Sequence, residues 1–196
     1  MQQRSEETHT HILESAYQLF SRNGYEVTSV ADICQSAGVS KGAFYHHFPT
    51  KQAIFLELLT SWLSDLDAGF QIVRQETQNV PQAILKMAHL ADQVVKSTDV
   101  RFSIIFEFWM QASRDPQVWN TAIAPYRRYQ EYFTALIQEG VDEGSFRSEI
   151  EPTVAARTLV SLALGMLMQA IFDPQTFDWS QTVHDSVKLL LKGLEK

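Results

Sequence analysis

The segment from Thr28 to Lys51 reads T-S-V-A-D-I-C-Q-S-A-G-V-S-K-G-A-F-Y-H-H-F-P-T-K, and its punctuation leaves the backbone few choices. Thr28 and Ser29 are good N-caps, and Ser29 with Asp32 has the spacing of a capping box, so a helix is expected from Val30 to about Ala37. Val30, Ile33, Cys34 and Ala37 share one face of it. At Gly38 a residue without Cβ can take the positive φ that reverses the chain in one turn. Val39 plugs the gap between the two helices. Ser40 caps the second, in which Phe44 and Phe48 lie one turn apart and point into one small core. Pro49 disfavours helical geometry at Phe48, and Thr50 can cap a further helix with Lys51 in its first turn.

Two short helices about a tight turn are the frame of a DNA-reading module. In such a module the start of the second helix meets base edges in the major groove, and flanking groups hold phosphates. Here the outward face would carry Lys41, Gly42, Ala43, Tyr45, His46 and His47. Lys41 can donate to guanine O6 or N7 or instead hold a phosphate, Ala43 can touch a thymine methyl, and Gly42 lets the backbone come close. Thr28, Ser29, Ser40, Tyr45, His47 and Lys51 supply donors suited to phosphate oxygens, and the amides opening the helix at Lys51 add an anion site. Arg4, on a polar N-terminal arm, can reach a phosphate.

Charge limits how such a module would bind. The chain carries a net charge of −7, and even residues 1–51 hold Arg4, Arg22, Lys41 and Lys51 against Glu6, Glu7, Glu14, Glu26 and Asp32. No generic basic patch exists, so binding would rest on a few placed donors and be weak on random sequence.

The run A-D-I-x-x-x-A-G-V-S-K-G-A-F-Y-x-H-F-x-T-K resembles the DNA-binding signature of TetR-family transcriptional regulators, with Cys34 standing where a small residue such as Ala is usual. The resemblance implies a TetR-like, all-α protein of about nine helices. A helix-turn-helix DNA-binding domain would occupy residues 1–51, and an effector-binding and dimerisation domain residues 52–196. It implies a homodimer on a palindromic double-stranded DNA operator, a repressor released by a small apolar or amphipathic effector, no enzyme activity and no cofactor.

The remaining sequence agrees with an all-α reading, since every segment carries helical periodicity and none a sustained alternation. Helices are expected over residues 5–23, 52–75, 81–96, 99–113, 116–142, 152–172 and 179–194. A 45% hydrophobic share with 20% charged residues suits a soluble globular chain, and a single cysteine excludes an internal disulfide framework. No apolar run is read as reaching the length of a membrane span, and a cytoplasmic location is expected.

Candidate sites beyond the motif are less sharply marked. The helix beginning near Asp99 is apolar on nearly every side, which packed core alone would explain. The family resemblance implies instead a cavity among the middle helices, for which Phe102, Phe106, Glu107, Trp109, Met110, Trp119, Tyr126, Tyr129, Phe133, Met166 and Gln169 are the candidates. Glu107 on so apolar a helix calls for a partner or a cationic ligand. Arg127 and Arg128 suit an acidic ligand or, more simply, a solvated face. The last two helices carry apolar residues on more than one face, and the resemblance assigns them to a dimer seam with Leu159, Ala163, Met166, Val187, Leu190, Leu191 and Leu194 as candidates. Nothing marks a catalytic or metal site, because His46 and His47 are adjacent and diverge on a helix and Cys34 faces inward. A helical ligand-binding module without operator binding is the rival reading, resting on the weak N-terminal charge.

Overall fold

The computed structural model describes the backbone of residues 2–96, 99–173 and 178–196, and the side chains of residues 5–91, 103–170, 172–173 and 178–196. Among the described residues there are ten α-helices: α1 Gln2–Asn23, α2 Val30–Ala37, α3 Lys41–His47, α4 Lys51–Glu76, α5 Val80–Lys96, α6 Asp99–Ala112, α7 Pro116–Ala122, α8 Ala124–Asp142, α9 Pro152–Phe172 and α10 Trp179–Lys192. The helix expected without interruption from Pro116 to about Asp142 is two, parted at Ile123. Pro125 is the reason. It has no N–H to donate and its ring would clash with the carbonyl four residues back, so it is tolerated in the first turn of α8 and not inside a continuous helix.

The chain divides into two compact units, Met1–Ser64 with Val100–Ala122 and Asp65–Asp99 with Ile123–Lys196. The boundary expected near Lys51 is thus not where the packing divides: α4 runs through residues of both units, and α6 and α7 belong with the first three helices. The reason is size. Three short helices bury too little apolar surface by themselves, and Ile12, Ala16, Phe20, Ile33 and Phe44 share one core with Ile54, Phe55 and Leu59 of α4 and Ile104, Phe108 and Ala112 of α6. Tyr25, fully buried, meets Phe20, Phe55 and Phe108 edge-on or tilted at ring-centroid distances of 5.2, 5.3 and 5.2 Å.

In the second unit α8 packs on α9, and α5 on α10 and α8. Its core holds Phe70, Val73, Val80, Ile84 and Met87 with Leu136, Ile137, Phe146, Leu159, Val187 and Leu191. Polar ties fix the helix ends within it. Glu143, just past α8, accepts the Val80 amide that opens α5 at 2.8 Å, and Arg74 pairs with Glu139.

Candidate nucleic-acid interface and the sites around it

The caps at Ser29, Gly38, Ser40 and Thr50 are formed. Ser29 Oγ accepts the Asp32 amide at 3.2 Å while Asp32 Oδ2 accepts the Ser29 amide at 2.9 Å, which closes the capping box. The Ser29 hydroxyl, which donates to Asp32 Oδ2 at 2.6 Å, and after it the Ser29 amide hold the Asp32 carboxyl below its ordinary range. Gly38 sits at φ 66, ψ 30, with nothing within 4 Å of where a Cβ would stand, so the position needs glycine for its backbone angle and not for space. Ser40 Oγ accepts the Ala43 amide at 3.1 Å, Phe48 ends α3 in extended geometry before Pro49, and Thr50 Oγ1 accepts the Ala53 amide at 3.1 Å. The α2–α3 angle is therefore set by local hydrogen bonds and by the buried Phe44 and Phe48.

What this leaves outward is a compact reading surface. Lys41, Gly42, Tyr45 and His46 are exposed together with Ser29 and Ser40, while Ala43 and His47 are half-buried. His47 lies between His46 and His9, at ring-centroid distances of 5.2 and 5.8 Å, and His9 Nε2 meets Glu57 at 3.2 Å. Partial burial first, and then the neighbouring His46 and His9, lower the His47 pKa.

Two residues assigned to phosphates from the sequence are held elsewhere. Thr28 is 1% exposed, and its hydroxyl donates to the Gly24 carbonyl at 2.8 Å. Lys51 Nζ donates to the carbonyls of Tyr25 at 2.7 Å, Glu26 at 3.2 Å and Thr28 at 2.8 Å, and lies 4.3 Å from the centre of the Tyr25 ring. An ammonium has three donors, and all three are accounted for. Desolvation lowers the Lys51 pKa against the opposing pull of Glu107 and Glu26.

Glu107 completes this clamp. Its carboxylate accepts the Tyr25 amide at 3.0 Å and the Glu26 amide at 2.6 Å. The partner that an apolar helix demanded of Glu107 is thus the turn between α1 and α2, not a cationic ligand. Gly24, at φ 90, lies so close that a Cβ there would stand 3.0 Å from Glu107 Oε2. One carboxylate from α6 and one ammonium from α4 hold the free amides and carbonyls of that turn, which positions α2. The sequence asks for a partner or a cationic ligand at Glu107 and does not decide between them.

The other ligand candidates divide between the units. Trp109 and Trp119 pack partly buried against the first core, with Trp109 Nε1 donating to the Ala122 carbonyl at 3.2 Å. Phe106 meets Trp109 edge-on, and Met110 is exposed. The Phe102 side chain lies outside the described residues, as does that of Arg4. Tyr129 and Phe133 pack on the second core, Tyr126 OH accepts from Gln130, Met166 is buried and Gln169 is exposed. Of these candidates only Tyr129 lines the cleft found within the second unit, an opening of about 240 Å³ between α4 and α8 walled by Asp67, Phe70, Gln71, Arg128, Tyr129 and Tyr132. There Asp67 accepts from Tyr129 OH at 2.7 Å and pairs with Arg128 at 2.6 Å. Nothing in a one-dimensional pattern could have joined Asp67 to residues some sixty positions away.

Most of the dimer candidates are taken up by the packing of the second unit itself. Leu159, Val187, Leu191 and Leu194 are inside the second unit's own core, Leu190 packs against it, Met166 is buried, and Ala163 alone of the set is exposed. The apolar surface that remains outward is different. On α9 Val154, Met168 and Phe172, the last 75% exposed, share one face at helical spacing, with the small residues Thr158, Ser161 and half-buried Gly165 between them, and on α10 Leu189 is 74% exposed. The α9 segment Pro152–Ala170 is, by length and composition, apolar enough to cross a membrane, contrary to the sequence expectation, and only 28% of it is buried. An outward apolar stripe accounts for that.

An N-terminal helix-turn-helix with an exposed reading face, joined to a larger all-helical unit, defines a DNA-binding transcriptional regulator. The comparisons narrow this. Residues 12–58 match the family profile described as bacterial regulatory proteins, tetR family, and residues 87–192 that of the BetI-type transcriptional repressor C-terminal region. The chain belongs to the TetR family of transcriptional regulators. It is 25% identical over 170 residues to the HTH-type transcriptional regulator UidR of Escherichia coli (strain K12), covering 85% of this chain and 83% of that protein. It is 26% identical over 160 residues to the HTH-type transcriptional repressor DhaR of Mycobacterium sp. (strain GP1), covering 81% and 80%. Among solved structures it superposes with a TM-score of 0.79, at 19% identity over 97% of this chain and 99% of the other, on a putative transcriptional regulator from Saccharomonospora viridis in complex with choline.

Proposed function

We propose that the protein is a repressor that binds a palindromic operator as a homodimer and leaves it when a small apolar or amphipathic effector binds the second unit. The observation that carries this reading is the α3 face, where Lys41, Gly42, Tyr45 and His46 are presented together on a helix whose start is fixed by Ser40 and whose partner α2 is fixed by a closed capping box. Lys41 opens the helix, where side chains of a helix-turn-helix reach base edges. Ser40, Tyr45 and His47 flank it as phosphate donors, while the Ser29 hydroxyl and amide both donate to Asp32 Oδ2.

The outward apolar residues of α9 and α10 support dimerisation through these helices. Ser161 and Gly165 at the middle of the α9 stripe let a second helix approach closely, and Val154, Met168 and Phe172 offer apolar area that water otherwise meets. A palindromic operator offers its half-sites to a two-fold dimer in successive major grooves, about 34 Å apart. Effector and operator would then oppose each other by equal factors. DhaR is named a repressor, which agrees with this class of regulator.

The test is a mobility shift with DNA from beside the protein's own gene, against a scrambled duplex of equal length. Preference for the native duplex supports operator binding. Equal or absent binding at physiological salt would reverse it in favour of a helical ligand-binding module.

A further inference from the structure

The cleft between α4 and α8 in the second unit holds a salt-bridged carboxylate among three aromatic rings. Phe70 is buried at its floor, with the Tyr132 ring stacked at 6.1 Å and the Tyr129 ring edge-on at 6.2 Å. Asp67 projects from α4, takes the Tyr129 hydroxyl on Oδ1 and the Arg128 guanidinium on Oδ2. That guanidinium also lies over the Tyr129 ring, 5.4 Å from its centre. We propose that this cleft binds a small organic cation, and that the Arg128 guanidinium is its built-in occupant, seated on the carboxylate and aromatic face that the cation would take.

The choice of charge follows from what each ligand would displace. A cation replaces Arg128 on Asp67 and keeps the carboxylate paired. An anion drawn to Arg128 would lie against Asp67 and face its negative charge. Arg128 is the partner that can be released, because its side chain is 56% exposed and regains water, whereas the Asp67 side chain, at 32%, is the less exposed of the two and stays paired. Aromatic faces favour a weakly hydrated cation such as a quaternary ammonium, which cannot donate hydrogen bonds but is attracted to ring faces. The net charge of −7 adds a long-range attraction of the same sign. Displacing Arg128 would also remove a tie between α8 and α4, the helix that begins with the Lys51 clamp. The cleft's role as effector site rests on the regulatory reading above; its binding chemistry does not.

Calorimetry on the full chain without DNA tests the site. The probes are choline and tetramethylammonium, with 3,3-dimethylbutan-1-ol as the neutral isostere of choline and acetate as an anion, all at matched ionic strength. Both cations should bind, the neutral isostere at least about tenfold more weakly than choline, and acetate not at all. Asp67→Asn should weaken choline binding about tenfold or more, and Arg128→Ala should tighten it about threefold or more by removing the competitor. Equal binding of choline and its neutral isostere, weaker binding by Arg128→Ala, or an unchanged Asp67→Asn would each overturn the proposal. A mobility shift with choline is read separately: a choline-insensitive operator complex, with the calorimetric pattern intact, overturns the effector role and leaves the cation site standing.

Discussion

Replacing Lys51 separates a structural ammonium from a phosphate-binding one. A lysine opening a helix after Pro49-Thr50 resembles a phosphate donor, and on that reading Lys51→Ala weakens binding to all duplexes and reduces the salt slope by about one. The structure gives a different outcome. The substitution strips the donor from the part-buried carbonyls of Tyr25 and Thr28, and leaving each unsatisfied costs about 1–3 kcal/mol. The Glu26 carbonyl is exposed and regains water at little cost. Loss of the ammonium from the Tyr25 ring adds about 0.5–1 kcal/mol. Returning a partly desolvated ammonium to water offsets some of this, as the lowered Lys51 pKa indicates. The net expectation is a destabilisation of about 2–4 kcal/mol. Urea unfolding followed by far-ultraviolet circular dichroism, at fixed protomer concentration, should show a lower midpoint with an unchanged slope. Operator binding, measured where the variant is fully folded, should keep its salt slope. An unchanged unfolding midpoint together with a salt slope lower by about one would refute the clamp and restore the phosphate contact.

Lys41→Ala should cost about 1–3 kcal/mol on the operator and much less on scrambled DNA, with relaxed preference at one base pair per half-site; fluorescence anisotropy on both duplexes across a salt series reads the difference. Paired Met168→Asp and Leu189→Asp substitutions should yield a folded monomer by sedimentation, because both side chains are exposed, whereas Leu191→Asp, at 2% exposure, should unfold the second unit; a folded, fully dimeric double variant at micromolar concentration would move the seam elsewhere. The lowered His47 pKa means that below about pH 6.5 the unfolded chain takes up a proton that the folded one resists, so stability rises with pH across the window below that value. Melting temperature should therefore fall as pH drops through that window in the free protein, and less steeply in His47→Gln; identical pH profiles would clear His47 of the effect.

Local chemistry determined most of the reading module. The capping box at Ser29, the reversal at Gly38, the Ser40 cap and the stop at Pro49 are interactions between residues at most five apart, so they are written in the order of the chain. The all-α character follows from periodicity for the same reason, and periodicity passes over the break at Ile123 because the apolar spacing does not register Pro125 as a helix start. What sequence could not assign were contacts between distant segments. Glu107 and Lys51 reach the same turn from α6 and α4, and that turn has a free backbone whose needs no residue name reveals. On α9 and α10 apolar residues occupy several faces, so the pattern could not separate Leu191, which the second unit buries itself, from Leu189, which it leaves outside. Burial is a property of the packed chain, and only the tertiary arrangement decided which of two apolar neighbours faces inward.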